Sequence, residues 1–102
     1  MLMFRNKKRF MTQSISEHLH EETQVVLWQL IGDQVKEELE LDYLQVFDLE
    51  IAGQVQQINH RQEVPERERI KVMSLHHAEP IKTTIWCIDD GENQLMLYPE
   101  DY

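Results

Sequence analysis

Apolar side chains recur every four residues at Leu27, Ile31, Val35 and Leu39, with Trp28 beside them. On a helix these five positions form one stripe, so the spacing predicts an amphipathic helix over about residues 20–39. Glu21 and Glu22 fall in its first turn, where carboxylates favour the positive end of the helix dipole. Gly32 interrupts the pattern at a cost of about 1 kcal/mol relative to alanine. Either the helix breaks there or another backbone packs closely. Val26 and Leu30 lie off the stripe and widen the apolar surface, which makes them the candidate contact for a protein partner or a second copy of the chain.

Around this helix, shorter segments alternate with the period of strands. In residues 8–13, Phe10 and Thr12 fall on one side. Ser14-x-x-Glu17 has the form of a capping box, which suits an early helical turn. Residues 42–51 place Tyr43, Phe47, Leu49 and Ile51 on one face. A tight turn at Ala52-Gly53 would set Phe47 opposite Ile58. Residues 54–64 then read as a polar-rich partner strand, suited to a sheet edge, with Ile58 and Val64 inward and Pro65 ending it. Residues 65–80 fit either a short strand over 70–73 or a loop. Thr83–Ile88 is rich in β-branched and aromatic residues, Asp89–Glu92 is turn-like, and Leu95–Tyr98 returns antiparallel. Trp86 and Ile88 then share a face with Leu95 and Leu97, and that face together with the Phe47 face is the expected floor for the helix. The expected fold is α+β: one main helix packed on an antiparallel sheet of four to five strands. A single domain spans 1–102, with 1–6 and 99–102 as loose ends.

Charge refines this picture. The chain has 102 residues and a net charge of −9. Residues 1–13 carry Arg5, Lys7, Lys8 and Arg9 and no acid, whereas the remainder carries −13. The four cations form a candidate basic patch, and Phe10 beside them supplies the aromatic of a single-strand nucleic-acid platform. The acidic body opposes that reading, so neither nucleic acid nor a membrane is an expected partner; a basic protein partner, or self-association, suits it better. Cys87 is the only cysteine, which rules out an intrachain disulfide and suits a reducing compartment. No apolar run is long enough to span a bilayer, and a cytoplasmic location is expected.

Candidate chemistry is sparse. His20-Glu21-x-x-Gln24 departs from a zinc-protease helix at its last position, where glutamine replaces the second ligand. His18, His76 and His77 have no second cysteine or ligand motif to complete a site, so no metal or other cofactor is expected. His60, Arg61 and Glu63 with Asp48 are the one group that could converge for acid–base work, and a small enzyme with a histidine–carboxylate site is the alternative they define. Cys87, among Ile85, Trp86 and Ile88, reads as a buried hydrophobe rather than a nucleophile. The glycines are isolated, so no phosphate-cradling loop exists. The reading favoured by the residues is a non-catalytic interaction module.

Several segments carry a resemblance: Asn6-Lys7-Lys8-Arg9-Phe10-Met11-Thr12, Leu27-Trp28-Gln29-Leu30-Ile31, Leu41-Asp42-Tyr43-Leu44-Gln45-Val46-Phe47-Asp48-Leu49, Gln62-Glu63-Val64-Pro65 and Ile88-Asp89-Asp90-Gly91. In that order they resemble a family of small, uncharacterised cytosolic proteins of low-GC Gram-positive bacteria (Firmicutes). The resemblance implies a compact cytosolic bacterial protein and brings no activity, cofactor or site residue with it.

Overall fold

The structure, a computed structural model, describes residues 3–102; the first two residues of the expected loose end lie outside the described residues. Six strands form one sheet: β1 (Lys8–Met11), β2 (Leu44–Ala52), β3 (Val55–Gln62), β4 (Arg67–Met73), β5 (Thr83–Asp89) and β6 (Asn93–Leu97). Their spatial order is β1-β6-β5-β2-β3-β4. Every pairing is antiparallel except β1 with β6, which is parallel. The α+β class therefore holds, with a mixed sheet one strand larger than expected. A short helix α1 (Gln13–His18) and the main helix α2 (Glu21–Lys36) cover one face.

Helix α2 forms for the reasons its sequence gives. Leu27 and Ile31 are fully buried, and Trp28 and Val35 pack at the margins of the same core. His20 caps the start, its ring Nδ1 accepting the Glu22 N–H at 3.0 Å. Gly32 does not break the helix. The C-terminus comes at Lys36, three residues before Leu39, because Glu38 turns into the left-handed region at φ 60° and the Leu39 N–H returns to the Gln34 carbonyl. Helix α1 is capped by Thr12 rather than Ser14: the Thr12 hydroxyl accepts the Ile15 N–H.

Three strand expectations change. The β2–β3 turn is Gly53-Gln54, not Ala52-Gly53, since Ala52 pairs with Val55. Gly53 takes φ 66°, a conformation that suits glycine as the first turn residue. Phe47 therefore faces His60, and Leu49 faces Ile58. A shift of two residues preserves which side chains point inward, so the apolar pattern alone could not detect it. Strand β3 is internal rather than an edge. Its inward row is Gln56, Ile58, His60 and Gln62, while Val64 lies beyond its end and is 71% exposed. The ambiguous stretch supplies the edge strand on this side of the sheet, β4. Ile51 and Tyr43, expected beside Phe47 in the interior, are both exposed.

The helix floor also differs. Trp86 pairs with Leu97 and Ile88 with Leu95, so the four do share a face. It is the opposite face from the helices, whose floor is Phe47, Leu49, Ile58, Ile85, Cys87 and Met96. Strands β5 and β6 are apolar on both sides, so alternation could not say which side the helices cover.

The segment before β1 is not loose from Phe4 onward. Phe4 is buried in the core, and its N–H donates to the Asp89 carboxylate. At the other end, Pro99–Asp101 forms a 3-10 turn in which Asp101 accepts the Thr12 hydroxyl at 2.8 Å.

Candidate functional site

The group that defined the enzyme alternative is split by the sheet. His60 points to the helix side, whereas Asp48 and Arg61 pair at 2.7 Å on the other face. Glu63 is exposed beyond the end of β3. No shared pocket forms from these four residues.

His60 instead lies at the centre of a closed network of amides. Its ring stacks on Phe47 with centroids 4.3 Å apart. Nε2 is 2.7 Å from Gln45 Oε1, and Nδ1 is 3.3 Å from Gln34 Nε2. The Gln45 amide nitrogen donates onward to Gln62 Oε1 and the Asp42 carbonyl, and Gln62 donates to the carbonyls of Glu40 and Pro65. Arg67 closes the circuit by donating to Gln34 Oε1, Gln62 Oε1 and the Glu40 carbonyl. These partners fix each amide orientation and fix His60 as a donor at Nε2 and an acceptor at Nδ1. Burial, reinforced by the charges of Arg67 and Arg69, lowers the His60 pKa to about 4, so the ring is neutral at pH 7. A neutral imidazole with both nitrogens engaged is a structural element of this core.

Cys87 is fully buried, and burial pushes its thiol well above the ordinary range. It behaves as the small hydrophobe the sequence indicates. Among the described residues, no three histidine, cysteine or carboxylate side chains lie close enough together to hold a metal ion. His76 and His77 sit in a loop clamped to α2: their N–H groups and that of Ala78 donate to the Glu22 carboxylate at 2.7–2.9 Å. Those three bonds hold the Glu22 pKa down to about 2.

The four candidate cations do not gather on one surface. Lys7 turns inward to Asp89 at 2.7 Å, where the carboxylate also accepts the N–H groups of Phe4 and Gly91. Arg9 donates to Gln94 and lies 4.7 Å over the Trp28 ring. Arg5 reaches the Val35 carbonyl near the end of α2. Lys8 alone follows the opposite parity of β1, beside Phe10. Val26 and Leu30 are half-buried and packed against the core; the exposed apolar residue of this helix surface is their neighbour Val25.

What remains is the side of the sheet facing away from the helices. Register places Phe10 beside Leu95, Leu95 beside Ile88, and Ile88 beside Leu44, a continuous apolar row across four strands. The next row is Leu97, Trp86 and Val46, continuing to Arg61. Phe10 is 50% exposed, and Leu44, Trp86, Ile88 and Leu95 are half-buried. The C-terminal turn reaches this side, where Tyr102 meets the Trp86 ring edge-on at 5.9 Å between centroids. Beyond Val46 the surface becomes polar, with the Arg61–Asp48 pair, the Thr84 hydroxyl bonded to Asp48, and Asn59 bonded to Glu68. The sequence showed that Trp86, Ile88, Leu95 and Leu97 lie together; it did not show that the helices leave them uncovered.

Comparison with known proteins supports the fold and the family. The sequence model described as staphylococcal protein of unknown function (DUF960) matches residues 8–101. A crystal structure of a protein of unknown function from Enterococcus faecalis superposes with a TM-score of 0.84. It is 19% identical, and the match covers 96% of this chain and 92% of that one. No curated protein matches the sequence. Both sources are Firmicutes, the group the sequence segments resemble. No helix among the described residues is long and apolar enough to cross a membrane.

Proposed function

The chain belongs to the DUF960 family, and we propose that it is a small, non-catalytic cytosolic module that binds a protein partner through the outer face of its sheet. The observation that carries this reading is the apolar row Phe10–Leu95–Ile88–Leu44, backed by Trp86. An apolar strip of this kind, bordered by polar groups, has the composition of an interaction surface. The net charge of −9 sets the chemistry of the partner: an apolar contact flanked by cations. Asp90 and Glu92, both exposed, lie in the turn that joins β5 to β6 at the end of the row.

The test is quantitative affinity capture from a native bacterial lysate with three forms of the chain. Wild type and Lys71→Glu, altered at the far edge strand, should retain the same stoichiometric protein. Phe10→Asp should lose it while keeping the wild-type circular dichroism spectrum. Absence of any stoichiometric partner, or equal capture by Phe10→Asp, would count against this function.

A further inference from the structure

We propose that α2 pairs with α2 of a second copy of the chain, antiparallel, about a two-fold axis passing between positions 28 and 29. This surface lies on the helix side, away from the sheet face, so the inference is independent of the function proposed above.

Three features of one helix stripe lead to it. Glu21, Val25, Gln29, Gly32 and Lys36 follow one another at spacings of three or four residues, so they line up along the outside of α2. Val25 is 47% exposed, a β-branched apolar side chain on an otherwise polar helix surface. Gly32 sits inside the helix, where glycine costs about 1 kcal/mol relative to alanine. Yet a Cβ added there would meet nothing within 4 Å, so packing within the chain does not call for glycine. The space in front of it belongs to a cleft of about 440 Å³ bordered by Arg9, Trp28 and Lys36.

An antiparallel pair centred between Trp28 and Gln29 uses all of these. Val25 of each copy falls opposite Gly32 of the other and fills the hollow that glycine leaves. Glu21 of each copy falls opposite Lys36 of the other. Neither Glu21 nor Lys36 forms an ion pair within the chain among the described residues. The neutral Gln29 lies near the axis, so no like charges on the stripe meet. A two-fold interface must be self-complementary in this way, each patch serving as both knob and hole. The missing side chain at position 32 lets the helix axes approach within the usual packing distance. Arg9 and Asp33 border the same cleft as Val25 and Gly32.

Sedimentation velocity over micromolar to millimolar concentrations tests the pairing, with circular dichroism as the folding control. Wild type should show a concentration-dependent monomer–dimer equilibrium. Lys36→Glu and Glu21→Lys each replace two attractive contacts by two repulsive ones and should weaken the dimer about tenfold. The double variant, with the charges exchanged, should recover most of that loss. Gly32→Leu should abolish the dimer and leave the monomer folded. A chain that stays monomeric throughout overturns the proposal. So does a dimer that either charge reversal leaves unchanged, that the double variant fails to restore, or that tolerates Gly32→Leu, since a different surface would then hold it.

Discussion

At the scale of single residues, two buried polar groups contribute to the sensitivity of this protein to acid. His60 takes a proton near pH 6.5 in an unfolded chain but only at about 4 in the folded one. Between those values the unfolded state binds more protons. Stability is therefore full above about pH 6.5 and falls by about 3 kcal/mol as pH drops toward 4. Urea unfolding of wild type and His60→Gln across this window should show a shallower slope for the variant; equal slopes would mean that His60 is not the group responsible. Asp89 is the second. Burial pushes its carboxyl up, but Lys7 and the N–H groups of Phe4 and Gly91 outweigh that and leave it below the ordinary carboxylate value. Its contribution is present above the unfolded pKa and is lost as pH falls through the lowered one. Asp89→Ala should destabilise by about 3–5 kcal/mol, because it strands the Lys7 ammonium, the buried Phe4 N–H and the part-buried Gly91 N–H. Denaturant titration near neutral pH checks this, and a loss below about 1 kcal/mol would show that the clamp contributes little.

At the scale of elements, Gly32 gives a clear expectation for the isolated chain. With no neighbour for a new Cβ, Gly32→Ala should raise monomer stability by about 1 kcal/mol, or about 5 °C in Tm, in a thermal scan at low concentration. An unchanged or lower Tm would point to strain that the backbone does not display. The same elements show what the sequence can disclose. Helix α2 was legible because Leu27 and Ile31 repeat at its period and its first turn is acidic. Strand β3 reads as an edge in the sequence because glutamines and histidine on its inward face look like solvent contacts. Their partners come from α2 and β2, which are distant in sequence, and from Arg67 at the start of β4. The outer face of the sheet is half legible: Trp86, Ile88, Leu95 and Leu97 can be grouped, but strands apolar on both sides do not reveal which side the helices take. The cations of the basic segment are neighbours in sequence and diverge in the fold. Alternation along β1 sends Arg9 to Trp28 on the helix side, while Lys8 and Phe10 face the other way.

At the scale of the molecule, the sheet should open from its margins. Strands β2 and β5 are paired on both sides and carry Phe47, Leu49, Ile85 and Cys87, whereas β1 is a four-residue edge strand exposed throughout. Amide hydrogen exchange followed by NMR should be slowest in β2 and β5 and fastest in β1; uniform protection would mean the sheet opens only as one unit. The buried amide circuit has a further effect on how the chain finds this arrangement. Hydrophobic alternation accepts a hairpin slid by two residues as readily as the true one, since both leave the same side chains facing the core. Sliding β3 against β2 would carry the imidazole about 7 Å along its neighbour and open the ring of donors and acceptors that Gln34 and Arg67 complete. The apolar code thus chooses the side of the ribbon, and the glutamines act as a checksum on its alignment.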